Sequence, residues 1–159
     1  MGDRVLQLRS IEDSDLTMMD AWLHKPYILK WYEDPEAWLD EIRQRTGAYA
    51  FIRHFIVMEG NRPMGFCQYY DCYDAGEDWY TVTSSQETFS IDYLIGEEAY
   101  LKQGFGKQIV QLLTEMIRGS TQAREIIVQP EEENLASCRA LLSCGYHYDP
   151  DLGYYRRKL

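Results

Sequence analysis

The segment Leu101-Lys102-Gln103-Gly104-Phe105-Gly106-Lys107 sets two glycines between a strand-like run, Thr88 to Ile95 ending at Gly96, and a stripe of Ile109, Leu112, Leu113 and Met116 at helical spacing. Strand, glycine turn and amphipathic helix, in that order, restrict the chain to a layered fold in which the helix packs back on a sheet. Val110 and Ile117 widen the stripe, and Gly119 is its predicted stop. Glycines at such a junction let the backbone turn tightly. They leave N–H groups of the first helical turn free to bind an anion, with the helix dipole behind them. A pyrophosphate is the obvious anion, although a G-x-G before a helix is also common as a plain turn. A dinucleotide-binding fingerprint would add a third glycine near Ile109, and none stands there.

The rest of the chain reads as a mixture of strands and helices. Val5 to Arg9 alternates like a short strand, and Ser10 to Asp13 supplies helix-start chemistry before Leu16, Met19, Trp22 and Leu23. His24 to Asp34 is predicted to be a loop rich in rings, and Asp34-Pro35 to cap a helix through Trp38, Leu39 and Ile42. Trp22 and Trp38 fall on helix stripes and are assigned to core packing. Tyr49 to Met58, the turn Glu59-Gly60-Asn61-Arg62 and Pro63 to Tyr73 predict a β-hairpin, followed by a polar loop from Asp74 to Gln86. Glu125 to Gln129 reads as a buried strand halted by Pro130. Asn134 then caps a helix that ends at Gly145, and Tyr146 to Tyr148 with Tyr154 to Arg157 predict a last hairpin. No repeat or linker divides the 159 residues, so residues 1–159 are expected to form one α/β (α+β) domain.

Charge narrows the partners. Against 16 Lys and Arg stand 26 Asp and Glu, a net charge of -10, which disfavours nucleic acid and anionic membranes and suits a cationic partner. From Pro63 to Leu101 there is no Lys, Arg or His, while Asp71, Asp74, Glu77, Asp78, Glu87, Asp92, Glu97 and Glu98 share the stretch with nine aromatic residues. Such a segment is folded, acidic and aromatic at once. The absence of a long apolar run and of an apolar stretch behind Met1-Gly2-Asp3-Arg4 gives a cytoplasmic expectation. Cys67, Cys72, Cys138 and Cys144 make no C-x-x-C, and His24, His54 and His147 lie far apart, so reduced thiols and no metal are expected. No G-x-S-x-G elbow or G-x-x-x-x-G-K-[ST] loop is present.

The order Ile91-Asp92-Tyr93-Leu94-Ile95, Lys102 to Lys107, Ile126-Ile127-Val128-Gln129-Pro130, Asn134 and Cys144-Gly145-Tyr146 resembles the GNAT acetyltransferases. Their pattern is a strand, Q/R-x-x-G-x-G/A, a helix, a second strand, N-x-x-[AS] and a terminal G-[FY]. Trp31-Tyr32-Glu33, Pro63 to Gln68, Gly76 to Tyr80 and Ser90 to Tyr93 extend the resemblance to aminoglycoside 6′-N-acetyltransferases. It implies a mixed central sheet flanked by helices, and an acetyltransferase with acetyl-CoA as cosubstrate and a small cationic amine as acceptor.

Residue by residue, the resemblance implies that the coenzyme A pyrophosphate lies on the backbone of Gln103, Gly104, Phe105, Gly106 and Lys107. It implies that the pantetheine arm pairs with the backbone of Tyr93, Leu94 and Ile95, and that Asn134 bonds that arm besides capping its helix. Asp92 matches the proposed base of the aminoglycoside enzymes, because the attacking amine must be neutral; an exposed strand carboxylate and an electrostatic anchor are the alternatives. Trp31, Tyr32, Asp71, Glu77, Asp78, Trp79, Tyr80 and Gln129 are implied on the acceptor side, where rings stack on a sugar or cation and carboxylates pair with ammonium. Two positions depart from the family: Leu101 at the first place of the loop motif, and Leu141 where many members carry a tyrosine acid. Leu141 keeps open a non-catalytic coenzyme A-binding module. Protein N-termini, polyamines and siderophore precursors are alternative acceptors. The expected assembly is a monomer or homodimer.

Overall fold

The computed structural model describes residues 5–159, and Met1 to Arg4, on which the reading of the N-terminus rests, lie outside the described residues. Seven strands form one sheet in the order β1-β2-β3-β4-β5-β7-β6. They are β1 (Leu6–Ser10), β2 (Ile52–Glu59), β3 (Arg62–Asp71), β4 (Thr88–Ile95), β5 (Glu125–Val128), β6 (His147–Asp149) and β7 (Tyr154–Lys158). Every adjacent pair is antiparallel except β4 and β5, so the sheet is mixed, as expected. The helices are α1 (Leu16–Leu23), α2 (Pro26–Leu29), α3 (Pro35–Arg43), α4 (Cys72–Ala75), α5 (Phe105–Ser120) and α6 (Leu135–Ser143). None of the described helices is long and apolar enough to cross a membrane.

Strand register assigns the two faces. Ile56, Phe66 and Leu94 stand opposite one another across β2, β3 and β4, so they share a face. On it pack Met19, Trp22 and Leu23 of α1, Ile28 of α2, and Leu39 and Ile42 of α3. The alternate residues Val57, Cys67 and Ile91 meet Ile109, Val110, Leu113 and Ile117 of α5 and Leu141 of α6 on the other face. Gln68 and Asp92 are also register partners, two residues from Phe66 and Leu94, and so belong to the α1–α3 face.

Local chemistry explains most boundaries. The Asp34 carboxylate accepts the Ala37 N–H at 3.2 Å with Pro35 as first helical residue, which starts α3 where predicted. Two glycines are required by close approach. A Cβ on Gly65 would stand 2.4 Å from the Leu94 oxygen, and one on Gly96 2.1 Å from the Trp22 ring. Trp22 thus lies against the end of β4, and its indole N–H donates to Glu97 Oε2 at 2.5 Å.

Three local expectations change. The ring-rich loop contains α2, because Pro26 begins a helical turn that buries Ile28. The second strand of the hairpin, predicted through Tyr73, ends at Asp71 and turns into α4. Gly119 does not stop α5, which continues through Ser120 to Thr121, where the backbone becomes extended. The Thr121 hydroxyl closes that end by donating to the Ile117 oxygen at 2.7 Å.

Candidate active site

The parallel pairing of β4 with β5 covers only Thr88 with Glu125 and Phe89 with Ile126. Beyond that point a cavity of about 1180 Å³ lies between Ser90 to Ile95 on one wall and Val128, Gln129 and Pro130 on the other. Its charged lining falls into two sets. Lys102 and Lys107 flank the turn that opens α5, with Arg139 on α6, while Glu77 and Glu131 bear electrostatically on Asp92, as Asp92 and Glu77 do on Glu41.

Backbone builds the basic half. Lys102 and Gly104 both sit in the left-handed region, with φ of 60° and 81°, and α5 begins directly after. A non-glycine residue held there costs on the order of 1–3 kcal/mol, and such turns ahead of a helix aim successive N–H groups at one point. Phe105 anchors the turn through a buried ring 5.4 Å from that of Tyr100. Gly106 faces the Tyr93 ring, from which a Cβ there would lie 3.6 Å away, an ordinary contact. Gly104, Phe105, Gly106 and Lys107 line the cavity; Gln103 does not, and its side chain donates to the Ala99 oxygen. Asn134 lines the cavity while its side chain accepts the Ser137 N–H at 3.3 Å, and the Tyr93 hydroxyl bonds Ser137 Oγ at 3.0 Å, tying β4 to α6.

The free edge of β4 is narrower than the sequence reading. Gly96 N–H donates to the Met64 oxygen at 2.8 Å, so Leu94, two residues earlier in the pleat, turns its N–H and C=O toward β3. Tyr93 and Ile95 face the open side. Their oxygens accept hydrogen bonds from cavity-lining tyrosines, Tyr93 from the Tyr32 hydroxyl and Ile95 from the Tyr27 hydroxyl at 2.8 Å.

Side chains build the acidic half. Gln68 Nε2 donates to Asp92 Oδ2 at 2.9 Å. Burial pushes the Asp92 carboxyl up to about 6, with Glu77 and Glu131 adding to the rise and the Gln68 bond opposing it. Glu41, on α3, is pushed up to about 7 by burial and by the charges of Asp92 and Glu77. Among the described residues none of these four carboxylates forms an ion pair with a protein cation. Burial likewise raises the Tyr32 phenol well above its usual range.

Of the acceptor-side candidates, Trp31, Tyr32, Glu77, Trp79 and Gln129 line the cavity. The Trp79 indole N–H donates to Glu77 Oε2 at 2.8 Å, orienting that carboxylate. Asp71, Asp78 and Tyr80 do not line it. Buried Asp71 accepts the N–H groups of Tyr73 at 2.9 Å and Gln86 at 2.7 Å, pinning both ends of the acidic loop. Tyr80 donates to the Cys72 oxygen at 2.7 Å, and Asp78 is exposed. Trp38, assigned to core packing from its spacing, does pack half-buried against the α1–α3 core and also lines the cavity, with its ring 4.8 Å from that of Tyr32. Sequence reasoning also missed Tyr27, Glu41, Gln68 and Arg139. For Gln68 a signal existed: a lone polar side chain inside the apolar run of β3.

A family model for the acetyltransferase (GNAT) domain matches residues 12–152. The aminoglycoside N(6′)-acetyltransferases type 1 of Klebsiella pneumoniae and Serratia marcescens are each 25% identical over 145 residues, covering 87% of this chain and 72% of theirs. Among solved structures, aminoglycoside acetyltransferase AAC(6′)-Ib with coenzyme A superposes with a TM-score of 0.83 at 22% identity, over 97% of this chain and 95% of that one. Spermidine N-acetyltransferase from Vibrio cholerae, with coenzyme A and spermine, gives 0.71 at 14% identity over 91% and 82%. A split between two parallel strands, a glycine turn opening a helix at its mouth and a family match over most of the chain agree: the chain belongs to the GNAT family, as an acetyl-CoA-dependent N-acetyltransferase.

Proposed function

We propose that the enzyme acetylates a primary amine on a small polycation, with an aminoglycoside-like amino sugar as the leading acceptor and the 6′-amine as the site of transfer. The observation that carries this reading is the division of one cavity into a basic end at the start of α5 and a carboxylate-lined, aromatic end around Asp92. The curated relatives named above are aminoglycoside 6′-acetyltransferases, which supports the same acceptor class. In this reading the pyrophosphate lies over Gly104 to Lys107, the pantetheine arm runs along the free edge at Tyr93 and Ile95, and Asn134 meets the arm. Its amides share the Tyr93 and Ile95 oxygens with the tyrosine hydroxyls or displace them. The four cysteines are free thiols, which supports a cytoplasmic setting.

The reaction follows from where Asp92 stands. An ammonium has no lone pair, so the bound amine gives a proton to Asp92, whose raised pKa suits it to that transfer near neutral pH. The amine nitrogen attacks the thioester carbonyl carbon, a C–N bond forms, the nitrogen releases its second proton to solvent, and the C–S electron pair leaves as coenzyme A thiolate. Leu141, on the buried face of α6, is fully buried in the core and offers no proton. Solvent supplies it instead, since a thiol of pKa near 8.5 is a tolerable leaving group. Trp31, Trp79 and Tyr32 provide ring faces for the acceptor, and Glu77 provides charge.

The test is thiol release from acetyl-CoA with kanamycin, spermidine and a peptide bearing a free N-terminus, one at a time. Turnover of kanamycin above the other two is the expected result. Turnover of peptide alone overturns the acceptor, and no turnover of any amine overturns the activity on small amines.

A further inference from the structure

Asp92 and Tyr93 are neighbours on β4, so the pleat sends their side chains to opposite faces of the sheet. Asp92 stands beside Gln68 on the α1–α3 face. Tyr93 packs against the core under α5, and its hydroxyl lies 3.0 Å from Ser137 Oγ in the first turn of α6. Tyr93 and Ser137 both line the cavity, whereas Leu141, one turn further along α6, is fully buried. The open edge of β4 is thus flanked by a carboxylate on one face and by a pair of hydroxyls on the other.

Each of these hydroxyls carries one O–H hydrogen, and the bond between them uses one of the two. Among the described residues neither hydroxyl bonds a further protein group, so one donor hydrogen remains for a ligand in the cavity. The Tyr27 and Tyr32 hydroxyls differ, because theirs are committed to the Ile95 and Tyr93 oxygens. Burial holds the Tyr93 phenol above its ordinary pKa, so it keeps its hydrogen at neutral pH. A phenol is a stronger donor than an alkyl hydroxyl, and accepting a bond from Ser137 strengthens it further. In the proposed reaction one atom on this edge turns negative, the sulfur of coenzyme A as the C–S bond breaks. The carboxylates that bear on Asp92 repel an anion from the other face.

We infer that the Tyr93 hydroxyl, held by Ser137, donates a hydrogen bond to the coenzyme A sulfur as it takes up the electron pair of the breaking C–S bond. The hydrogen stays on the phenol oxygen, and the thiolate takes its proton from solvent afterwards. Tyr93 is then a catalytic residue on the leaving-group side, as Asp92 is on the amine side, and Ser137 is a positioning residue that acts through Tyr93. The inference rests on the proposed path of the pantetheine arm along this edge.

The test compares wild type with Tyr93→Phe, Ser137→Ala and Ser137→Thr, with the thermal midpoint as a check on folding. Two quantities are read: the pKa of the coenzyme A thiol in its binary complex, followed by thiolate absorbance, and the single-turnover rate of acetyl transfer to kanamycin. Tyr93→Phe is expected to raise the bound thiol pKa by about one to two and to slow transfer about ten- to a hundredfold, the range for one hydrogen bond to a charged group. The kanamycin KM should stay within about twofold. Ser137→Ala should move both quantities the same way by less, which keeps the test standing if Tyr93→Phe folds poorly, and Ser137→Thr should restore them. An unchanged thiol pKa overturns the inference whatever the rate does, since a slower rate alone would reflect packing of the ring. A raised thiol pKa with unchanged transfer overturns the catalytic role. A wild type that binds coenzyme A but acetylates no small amine overturns the proposed acceptor instead, and the thiol pKa, which needs no acceptor, still decides whether the phenol reaches the sulfur.

Discussion

The two halves of the cavity are made of different material. The basic half is mostly backbone: a turn with Lys102 and Gly104 in left-handed conformation, the start of α5, and a glycine floor under the Tyr93 ring. The acidic half is mostly side chains brought from afar: Glu41 from α3, Gln68 from β3, Glu77 from the loop after α4 and Asp92 from β4. In the proposed reading, the backbone half needs only a local turn and binds what every acetyl-CoA shares, whereas the side-chain half, which single substitutions rebuild, is where acceptor choice resides.

The largest effect that sharpens this contrast should come from Gly106→Val. Its Cβ would touch the Tyr93 ring at 3.6 Å, and the branched methyls would crowd that ring beneath the turn proposed to hold the phosphates. Isothermal titration with coenzyme A is expected to show a loss of at least about a hundredfold, from the crowding and the lost N–H contacts together. Unaltered affinity would mean that the turn is not the phosphate site. Gly104→Ala, at φ 81° with open space around it, tests conformation instead, and should cost on the order of 1 kcal/mol of stability.

Ionic strength should separate the halves next. An acidic cleft raises the encounter rate of a polycation by roughly 10 to 1,000 fold at low salt. The kcat/KM for a multi-amine acceptor should therefore fall steeply as salt is added. If it does not, the acidity around Asp92 only solubilises the chain.

Proton linkage gives a smaller and more specific pair of effects. The folded-state pKa of Asp92 is raised to about 6 from an ordinary 3.8, so the folded protein binds the extra proton between those values and stability falls as pH rises through them. Asp92→Asn should then raise the thermal midpoint at pH 7, by an amount worth on the order of 2–3 kcal/mol. For the wild type, kcat/KM should climb through an acid limb near pH 6. Glu41 and Glu77 interact with Asp92, so that limb belongs to the group as a whole.

Buried His54 is the control. Burial first, and then the Arg45 charge, lowers its pKa to about 4. The unfolded chain binds the proton between about 6.5 and 4 and the folded one does not, so this part of the stability is complete above pH 6.5 and is lost toward pH 4. Circular dichroism at each pH of the rate profile distinguishes the two origins. His54→Phe should flatten the stability curve and leave the rate limb in place.

How much was legible in the sequence follows the same division. The glycine turn, the β4 strand, the Asn134 cap and the last hairpin are local events, fixed by residues next to one another, and the structure has all of them. Asp92 was named through the family resemblance of its strand, and the structure places it on the cavity wall. Glu41 and Arg139 carry no local signature; only tertiary packing places them beside residues distant in sequence. Asp71 and Tyr80 illustrate the converse, since the resemblance implied the acceptor side while both are engaged in holding a loop. Trp38 obeyed helical spacing, but spacing cannot tell a core face from a cavity wall.

The central claim is that Asp92 works on the acceptor amine and not on coenzyme A. One preparation of Asp92→Asn, assayed for acetyl transfer to kanamycin and titrated with coenzyme A, tests it most directly. The account predicts turnover lower by about 10² to 10⁴ fold, with coenzyme A affinity as in the wild type. Undiminished turnover, or a loss of turnover matched by an equal loss of coenzyme A binding, would contradict it.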